Sequence, residues 1–396
     1  MRILHTSDWH LGHEMHSYKR NDEFDDFFRQ LTAIVRQHRP DALLVSGDVY
    51  HSAVPSAATQ TMYTEAMLAL HEACPTMEII VTAGNHDSAS RLEVDRSLWQ
   101  YFKVHVVGGI PRTNEGADFD SLIFHIADKG IVAAVPHVFR QNFPPGPDAT
   151  ADRQQAFYQG LMQRVGEVNT NGLPVVLMAH LAVSHRPSDQ QSDLVGGMEY
   201  FPLSVLGNGY DYAALGHLHR PHQVPPANPR VRYAGAPLAI TFDEEYEHSV
   251  TLVEVLPGVA PDVKVIPLTL LRPVKTIPEE AVAFDDALNI LAALPDDDPC
   301  YIRLNVRTTL GIPPDASEQA LGVARGKACR FCTFKIVEEG RHAASHQIVD
   351  ITPDELRQLS PLEITRRYLL QRGLPTEEFM KMMEQTIMKI EEEKTR

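Results

Sequence analysis

Short apolar runs alternate with amphipathic helical stretches from residue 1 to about residue 270. The runs RILHTSD, ALLVSGD, EIIVTAGN and PVVLMAH contain β-branched residues and end in glycine or polar residues, as buried strands do. Residues 21–38, 57–73 and 152–168 instead suit helices, and in the first of these the apolar positions form one helix face. This alternation predicts an α/β fold in which two packed sheets are covered by helices.

The pattern changes after about residue 271. A helical stretch at 278–294 precedes the strand-like run CYIRLNV, and a second at 315–328 precedes RFCTFKIVEE, which indicates a small α+β unit over 271–350. Residues 351–396 have helical character, beginning at a capping sequence and broken at GLP. The last helix, 375–393, has an apolar face rich in methionine, which suits either packing on the protein's own body or contact with a partner.

The composition of the 396-residue chain is that of a globular protein of two or three domains, with 43% hydrophobic residues. Because it contains neither an apolar run of about 18 residues nor a basic and apolar leader, we expect a cytoplasmic protein without a membrane segment. The net charge of −16 argues against bulk electrostatic binding of nucleic acid, but not against a nuclease whose bound cations reverse the local field. Cys329 and Cys332 lack a second pair that would complete a zinc site, so we expect reduced, packing cysteines.

Polar side chains follow five of the apolar runs. Because ligand sites in open α/β sheets gather beyond the carboxyl ends of the strands, we expect these side chains to meet at one edge. Members of a pair two residues apart also lie on the same side of an extended chain. The set is Asp8, His10, Asp48, Asn85, His180, His217 and His219. Each segment alone is typical of a turn, but the series predicts two divalent ions side by side and a metal-dependent phosphoesterase; its ligands suit manganese, iron or zinc.

The segments HTSDWHLG, GDVYHSAVPS, AGNHDS, ALGHLHR and YAGAPLAITFDE resemble the SbcD nucleases, the bacterial counterpart of the archaeal and eukaryotic double-strand-break repair nuclease. The resemblance covers residues 1–270 in motif and 271–396 in layout. It implies a four-layer α/β/β/α metallophosphoesterase core over 1–270, a small α+β capping domain over 271–350 and C-terminal helices over 351–396. The chain departs from the family at Ala236, where serine is usual, and in the segment after His180, which matches only loosely.

The resemblance also implies an activity and its partners. The activity is ATP-linked, manganese-dependent cleavage of double-stranded DNA ends and hairpins, with endonuclease cuts in single strands, in DNA repair and recombination. The C-terminal helices would clasp the coiled-coil root of an SbcC-type ATPase, and two copies of the chain would form a homodimer within a heterotetramer. By the family pattern one ion is held by Asp8, His10, Asp48 and His219, and the other by Asp48, Asn85, His180 and His217, with Asp48 bridging.

Several further residues lie next to these motifs. His86 is our candidate for donating a proton to the leaving sugar oxygen, or for stabilising its charge; the alternative is that it orients Asn85. Asp87 either orients His86 or caps the turn, and His51 either contacts the substrate phosphate or is a surface histidine. Four basic residues either hold the DNA backbone or are solvated surface charges. They are Lys19, Arg20, Arg91 and Arg220.

Two other functions remain open from the sequence. A calcineurin-like phosphatase or cyclic-nucleotide phosphodiesterase would share the metal core, but it needs neither a capping unit nor a partner-binding helix. A DNA-end-tethering subunit would carry structural ions or none, and the intact ligand series counts against it. The layout of the last 120 or so residues therefore favours the nuclease.

Overall fold

The structure is a computed structural model that describes residues 1–114, 116–144, 152–184, 193–195, 198–309, 311–338 and 380–381. Most of the expected C-terminal helical segment, 351–396, therefore lies outside the described residues; within it, Met380 and Lys381 are helical. The chain divides into two compact units, Met1–Val337 and Glu338–Arg396. Across the described parts, no helix combines the length and apolar character needed to span a membrane.

The helices and strands of the first unit follow the predicted alternation. The helices are α1 (Asn21–His38), α2 (Ala57–Ala73), α3 (Ala89–Leu92), α4 (Arg96–Trp99), α5 (Arg153–Val168), α6 (Phe284–Ala293) and α7 (Ala316–Ala324). The strands are β1 (Arg2–Thr6), β2 (Ala42–Ser46), β3 (Glu78–Thr82), β4 (Val104–Val107), β5 (Arg112–Thr113), β6 (Gly116–Ala117), β7 (Ile123–Ile126), β8 (Gly130–Ala134), β9 (Val175–His180), β10 (Ala182–Ser184), β11 (Asp193–Val195), β12 (Met198–Pro202), β13 (Tyr212–Gly216), β14 (His222–Gln223), β15 (Val231–Tyr233), β16 (Ser249–Glu254), β17 (Asp262–Pro267), β18 (Val274–Val282), β19 (Tyr301–Thr308) and β20 (Arg330–Glu338).

Two six-stranded sheets form the centre of the described chain. Their strand orders are β17-β16-β1-β2-β3-β4 and β14-β15-β13-β9-β8-β7. In the first sheet β1, β2, β3 and β4 run parallel, and β16 pairs antiparallel with both β1 and β17. In the second sheet β15, β13, β9 and β8 run parallel, and the edge strands β14 and β7 are antiparallel to their neighbours. The carboxyl ends of parallel strands lie at one edge of a sheet. The residues that follow β1, β2 and β3 of the first sheet, and β9 and β13 of the second, therefore lie at that edge.

Successive side chains of a strand point to opposite faces of its sheet, so each inner strand packs against two different layers. In β2, Ala42 and Leu44 face the second sheet, whereas Leu43 and Val45 pack with the apolar faces of α1 and α2. On the far side of the second sheet, α5 buries Phe157 and its neighbours on the same helix face. Helices therefore cover the outer faces of two stacked sheets, which gives the expected four-layer α/β/β/α arrangement.

A third sheet follows the core in sequence. Its strand order is β18-β19-β20, and α6 and α7 pack on it around a separate buried cluster that includes Leu291, Ile302 and Leu304. The predicted helix at 278–294 is too long, because residues 278–282 continue β18; after a register shift that begins at Ile277, Val282 pairs in parallel with Val306 of β19. The helix begins at Phe284 instead, with two aspartates in its first turn, where negative charge is favourable.

The four cysteines are free, and Cys74, Cys300 and Cys329 are buried. Burial raises the pKa of Cys300 to about 11 and that of Cys332 to about 12, so both thiols are protonated at neutral pH. A protonated, buried thiol is a poor metal ligand and a poor nucleophile. The packing role expected from the sequence agrees with this environment.

Candidate metal centre

The seven side chains of the predicted series lie together beyond the carboxyl ends of five strands. Asp8 and His10 follow β1, Asp48 follows β2, and Asn85 follows β3. From the second sheet, His180 ends β9, while His217 and His219 follow β13. Donor atoms of Asp8, His10 and His219 approach within 4.8 Å of one another, as do those of Asp8, Asp48 and His180. Both sheets thus contribute to one site.

The backbone at this site is strained. Positive φ angles occur at four of the candidate ligands, which are Asp8 (53°), His10 (48°), Asp48 (51°) and His217 (98°). A non-glycine residue in this region costs on the order of 1–3 kcal/mol, and such residues cluster at functional sites. The surrounding hydrogen bonds, such as that from the Asp8 N–H to the Gly47 carbonyl at 3.0 Å, hold these turns in place.

One oxygen of Asp48 lies between two histidines. Oδ1 accepts the backbone N–H of His86 at 2.9 Å. Oδ2 lies 3.6 Å from Nε2 of His10 and 3.5 Å from Nε2 of His180. Because the backbone contact fixes the orientation of the carboxylate, Oδ2 is the oxygen that faces both histidines.

His180, Asn85 and His217 form one half of the site. Nδ1–H of His180 donates to the Ser46 carbonyl at 2.8 Å, which leaves Nε2 as the nitrogen that faces the site. That nitrogen lies 3.1 Å from Oδ1 of Asn85, which is also 2.8 Å from Nδ1 of His217. Once Nε2 of His180 is deprotonated, its lone pair and the Asn85 oxygen converge as two donor atoms of the kind that a divalent ion binds. This half of the site therefore fits a divalent ion.

His10 and His219 form the other half with Asp8. Nδ1–H of His219 donates to Oε1 of Glu244 at 2.9 Å, so Nε2 is the nitrogen that faces the site. This nitrogen lies 3.1 Å from Nε2 of His10. A carboxylate that fixes the tautomer of a histidine is typical of metal sites. Glu244 was not among the predicted site residues, although it ends the FDE triplet in YAGAPLAITFDE, one of the segments that carry the SbcD resemblance.

Burial and charge set the protonation of these groups. Burial acts to raise the pKa of Asp48, but His180 and then His10 outweigh it and hold that pKa below its usual value. Burial acts to lower the pKa of His180, but Asp48 raises it to about 9. Burial and the charge of His180 lower the pKa of His217 to about 3. His217 is therefore neutral, whereas the proton on His180 takes the place of a cation and must leave when an ion binds.

His86 and His51 lie beside His10. The His86 ring meets the His10 ring edge-on at 4.8 Å and stacks on the His51 ring at 5.7 Å. Nδ1–H of His86 donates to the His51 carbonyl at 3.0 Å, so Nε2 is the nitrogen left for another contact. The structure therefore places both residues next to the candidate ligands, with His86 oriented by His51.

Asp87 contacts backbone rather than the His86 ring. Oδ2 accepts the N–H groups of Val49 and Gly84 at 3.0 and 2.8 Å, and Oδ1 accepts that of Tyr50 at 2.8 Å. Burial and then the charge of Asp48 raise the pKa of Asp87 to about 6. The carboxylate ties the turn after β2 to the turn after β3, which corresponds to the capping alternative.

The structure adds information at three other positions. Arg20 is 2% exposed, so it is neither in contact with DNA nor a solvated surface charge. The other three basic candidates, Lys19, Arg91 and Arg220, are exposed. Ala236 is fully buried, so a hydroxyl there would face the interior. His137 was missed, although it follows the apolar run IVAAVP; its Nδ1–H donates to the His180 carbonyl at 3.3 Å and its ring stacks 6.3 Å from that of His217.

Close backbone approach at Gly47 leads to a stability prediction. Gly47 has a φ of +84°, and a Cβ atom there would lie 2.1 Å from Nδ1 of His180. Gly47→Ala must displace His180 or distort the turn, so we expect a loss of about 1–3 kcal/mol in the free energy of unfolding and weaker manganese binding. Urea unfolding and calorimetric titration measure the two effects. Gly166→Ala in α5 meets no atom within 4 Å and should stabilise by about 0.5–1 kcal/mol; a similar gain in Gly47→Ala would contradict the argument.

Comparison with known proteins identifies the family of the chain. The calcineurin-like phosphoesterase family profile matches residues 1–221. The SbcD subunit of nuclease SbcCD from Rhodobacter capsulatus is 33% identical over 310 residues, covering 74% of this chain and 75% of that protein. The proteins of the same name from Escherichia coli K12 and Bacillus subtilis are 31% and 30% identical, covering 63% and 65% of this chain and 65% and 67% of those proteins. The chain thus belongs to the calcineurin-like phosphoesterases and, among them, to the SbcD nucleases, which makes it a metal-dependent phosphodiesterase.

Proposed function

We propose that the chain is the nuclease subunit of a manganese-dependent, ATP-linked complex that cleaves double-stranded DNA ends, hairpins and single strands during DNA repair and recombination. The observation that carries this proposal is the position of Asp48 Oδ2 between two sets of donor atoms. A carboxylate in this position could help to hold two adjacent ions, which together would act on a single phosphodiester. The relatives are named as one component of nuclease SbcCD, which supports an SbcC-type ATPase partner.

We assign one ion to Asp8, His10, Asp48 and His219, and the other to Asp48, Asn85, His180 and His217. When bound, two such ions neutralise the phosphate charge and supply a nucleophile from water at neutral pH. Imidazole, carboxylate and amide donors together suit manganese better than magnesium alone. The hydrogen bonds from His180 to Ser46 and from His219 to Glu244 hold each ring with Nε2 toward the site.

The protein's own residues supply the remaining steps. Since the His51 carbonyl occupies Nδ1 of His86, Nε2 of His86 is the nitrogen that would donate a proton to the leaving sugar oxygen. The ring of His51, stacked on His86, would contact the substrate phosphate. Asp87 keeps the turn that carries His86 tied to the turn that carries Asp48.

We propose the domain limits expected from the sequence: a nuclease core over 1–270, a capping domain over 271–350 and a partner-binding segment over 351–396. The separate buried cluster of the third sheet supports the second of these. Exposed apolar side chains after β3, including Val94, Leu98 and Tyr101 at 75%, 62% and 81% exposure, support a homodimer contact. We also propose a cytoplasmic location, in keeping with a DNA substrate.

Two assays test the proposed function. The full-length chain, purified with its SbcC-type ATPase, should cleave a labelled DNA hairpin in the presence of ATP and manganese, and chelation should stop cleavage. The chain alone should hydrolyse bis-para-nitrophenyl phosphate with manganese and leave the para-nitrophenyl monoester nearly untouched. A preference for the monoester would instead support a phosphatase, and an uncleaved hairpin with intact complex would overturn the nuclease assignment.

A further inference from the structure

A buried arginine is hydrogen-bonded to segments that neighbour the metal centre. Arg20, at the start of α1, is 2% exposed. Nε and Nη2 donate to Oε2 of Glu23 at 3.1 and 2.7 Å, and Nη1 donates to the Ala239 carbonyl at 2.6 Å and to Nδ1 of His13 at 3.2 Å. A buried charge is tolerated only when it is paired and hydrogen-bonded, and every contact here meets that requirement. The guanidinium thus holds three chain segments at once.

The third sheet contacts the same carboxylate. The hydroxyl of Tyr301, on β19, donates to Oε1 of Glu23 at 2.5 Å, and Nη1 of Arg330, on β20, donates to that hydroxyl oxygen at 3.1 Å. The guanidinium of Arg20 also lies over the Tyr301 ring at 5.6 Å. Glu23 therefore accepts hydrogen bonds from Arg20 on Oε2 and from Tyr301 of the third sheet on Oε1.

Both segments held by Nη1 of Arg20 lead to the same half of the metal centre. The backbone N–H of His13 donates to the His10 carbonyl at 3.0 Å, so His13 belongs to the turn that carries His10. Ala239 precedes Ile240, whose N–H donates to Oε2 of Glu244 at 2.9 Å, and Oε1 of that carboxylate orients His219. Within the described residues, the hydrogen bonds of Arg20 reach neither Asn85 nor His180 nor His217.

We propose that Arg20 is a positioning residue that sets the spacing of His10 and His219 and transmits the placement of the third sheet to them. The inference rests on the proposed two-ion site. We call the hydrogen-bonded set of Arg20, Glu23 and Tyr301 the clamp. A change at Arg20 or Tyr301 should then weaken the binding of one ion selectively, because the hydrogen bonds link the clamp to only one half of the site. A residue that merely supported the fold would weaken both ions alike.

Calorimetric titration of the metal-free, full-length chain with manganese chloride tests this. Arg20→Lys keeps the charge, but a compact ammonium group cannot reproduce the planar fork that spans Glu23, Ala239 and His13. We expect one of the two binding steps to weaken by about 10–100-fold, as for other residues that support metal ligands, and the second step to change by less than about threefold. Tyr301→Phe removes one hydroxyl and should weaken the same step by a few-fold.

Two ligand variants identify the steps. His219→Ala should remove the step that Arg20→Lys weakens, and Asn85→Ala should remove the other. The matched control is Tyr63→Phe, because Tyr63 in α2 is buried and its hydroxyl has no hydrogen-bond partner among the described residues; it should change neither step.

The outcomes separate the clamp from the proposed function. If both steps weaken equally in Arg20→Lys and in Tyr301→Phe, or if neither step changes, the clamp is overturned. Tyr301→Phe alone decides the matter if Arg20→Lys does not fold. A wild-type chain that binds fewer than two manganese ions would overturn the proposed function itself.

Discussion

Asp48→Asn is expected to remove both manganese ions and to lower phosphodiester cleavage by roughly 10³-fold or more. The backbone N–H of His86 donates to Oδ1 of Asp48, so the amide oxygen of asparagine would keep that position. Its NH₂ group would then point between His10 and His180, where Oδ2 now lies. The substitution therefore removes the shared negative charge and puts a donor where two cations need an acceptor.

Metal content after gel filtration and hydrolysis of bis-para-nitrophenyl phosphate measure the two losses. Asp128→Asn is the control, because the Asp128 side chain is 85% exposed and its ion-pair partner is the adjacent Lys129. That variant should keep both ions and full activity. Two ions retained by Asp48→Asn would show that Asp48 does not bridge them.

The candidate ligands could be predicted from the sequence because a recognisable local pattern precedes each of them. A polar residue that follows a β-branched run lies at the end of a strand, and parallel strands bring such ends to one edge. Asp8, Asp48 and His180 come from both sheets and still meet, since the two sheets stack with these ends together. The same signal marks His137, which follows the apolar run IVAAVP, so this residue could also have been predicted from the sequence.

Other features depend on contacts that no local pattern shows. The burial of Arg20 depends on Tyr301, which lies 281 positions later, and on a carbonyl at Ala239. Residues 278–282 have acidic and alanine residues that suit a helix, yet pairing of Ile277 and Val282 with β19 keeps the segment in a strand. Tertiary pairing overrides a weak local preference in this way because propensities differ by less than about 1 kcal/mol per residue.

His86→Asn is expected to keep both ions and to lower DNA cleavage by about 10²–10⁴-fold, the usual contribution of a general acid. The backbone N–H that supports Asp48 is unchanged by the substitution. The ring of His86 bonds to the His51 carbonyl, whereas Oδ1 of Asn85 faces His180 and His217. The contacts of His86 therefore favour a role at the leaving oxygen over one in orienting Asn85.

The choice of substrate separates these two roles. A sugar oxygen leaves poorly without a proton, but para-nitrophenolate is stable as an anion and needs none. A general acid at His86 should therefore matter greatly for DNA and little for bis-para-nitrophenyl phosphate, so His86→Asn should retain most activity on the latter with manganese. Asn85→Ala is the comparison, since the loss of a ligand must impair both substrates. If His86→Asn loses manganese in titration, or impairs both substrates equally, His86 supports the metal site and does not donate the proton.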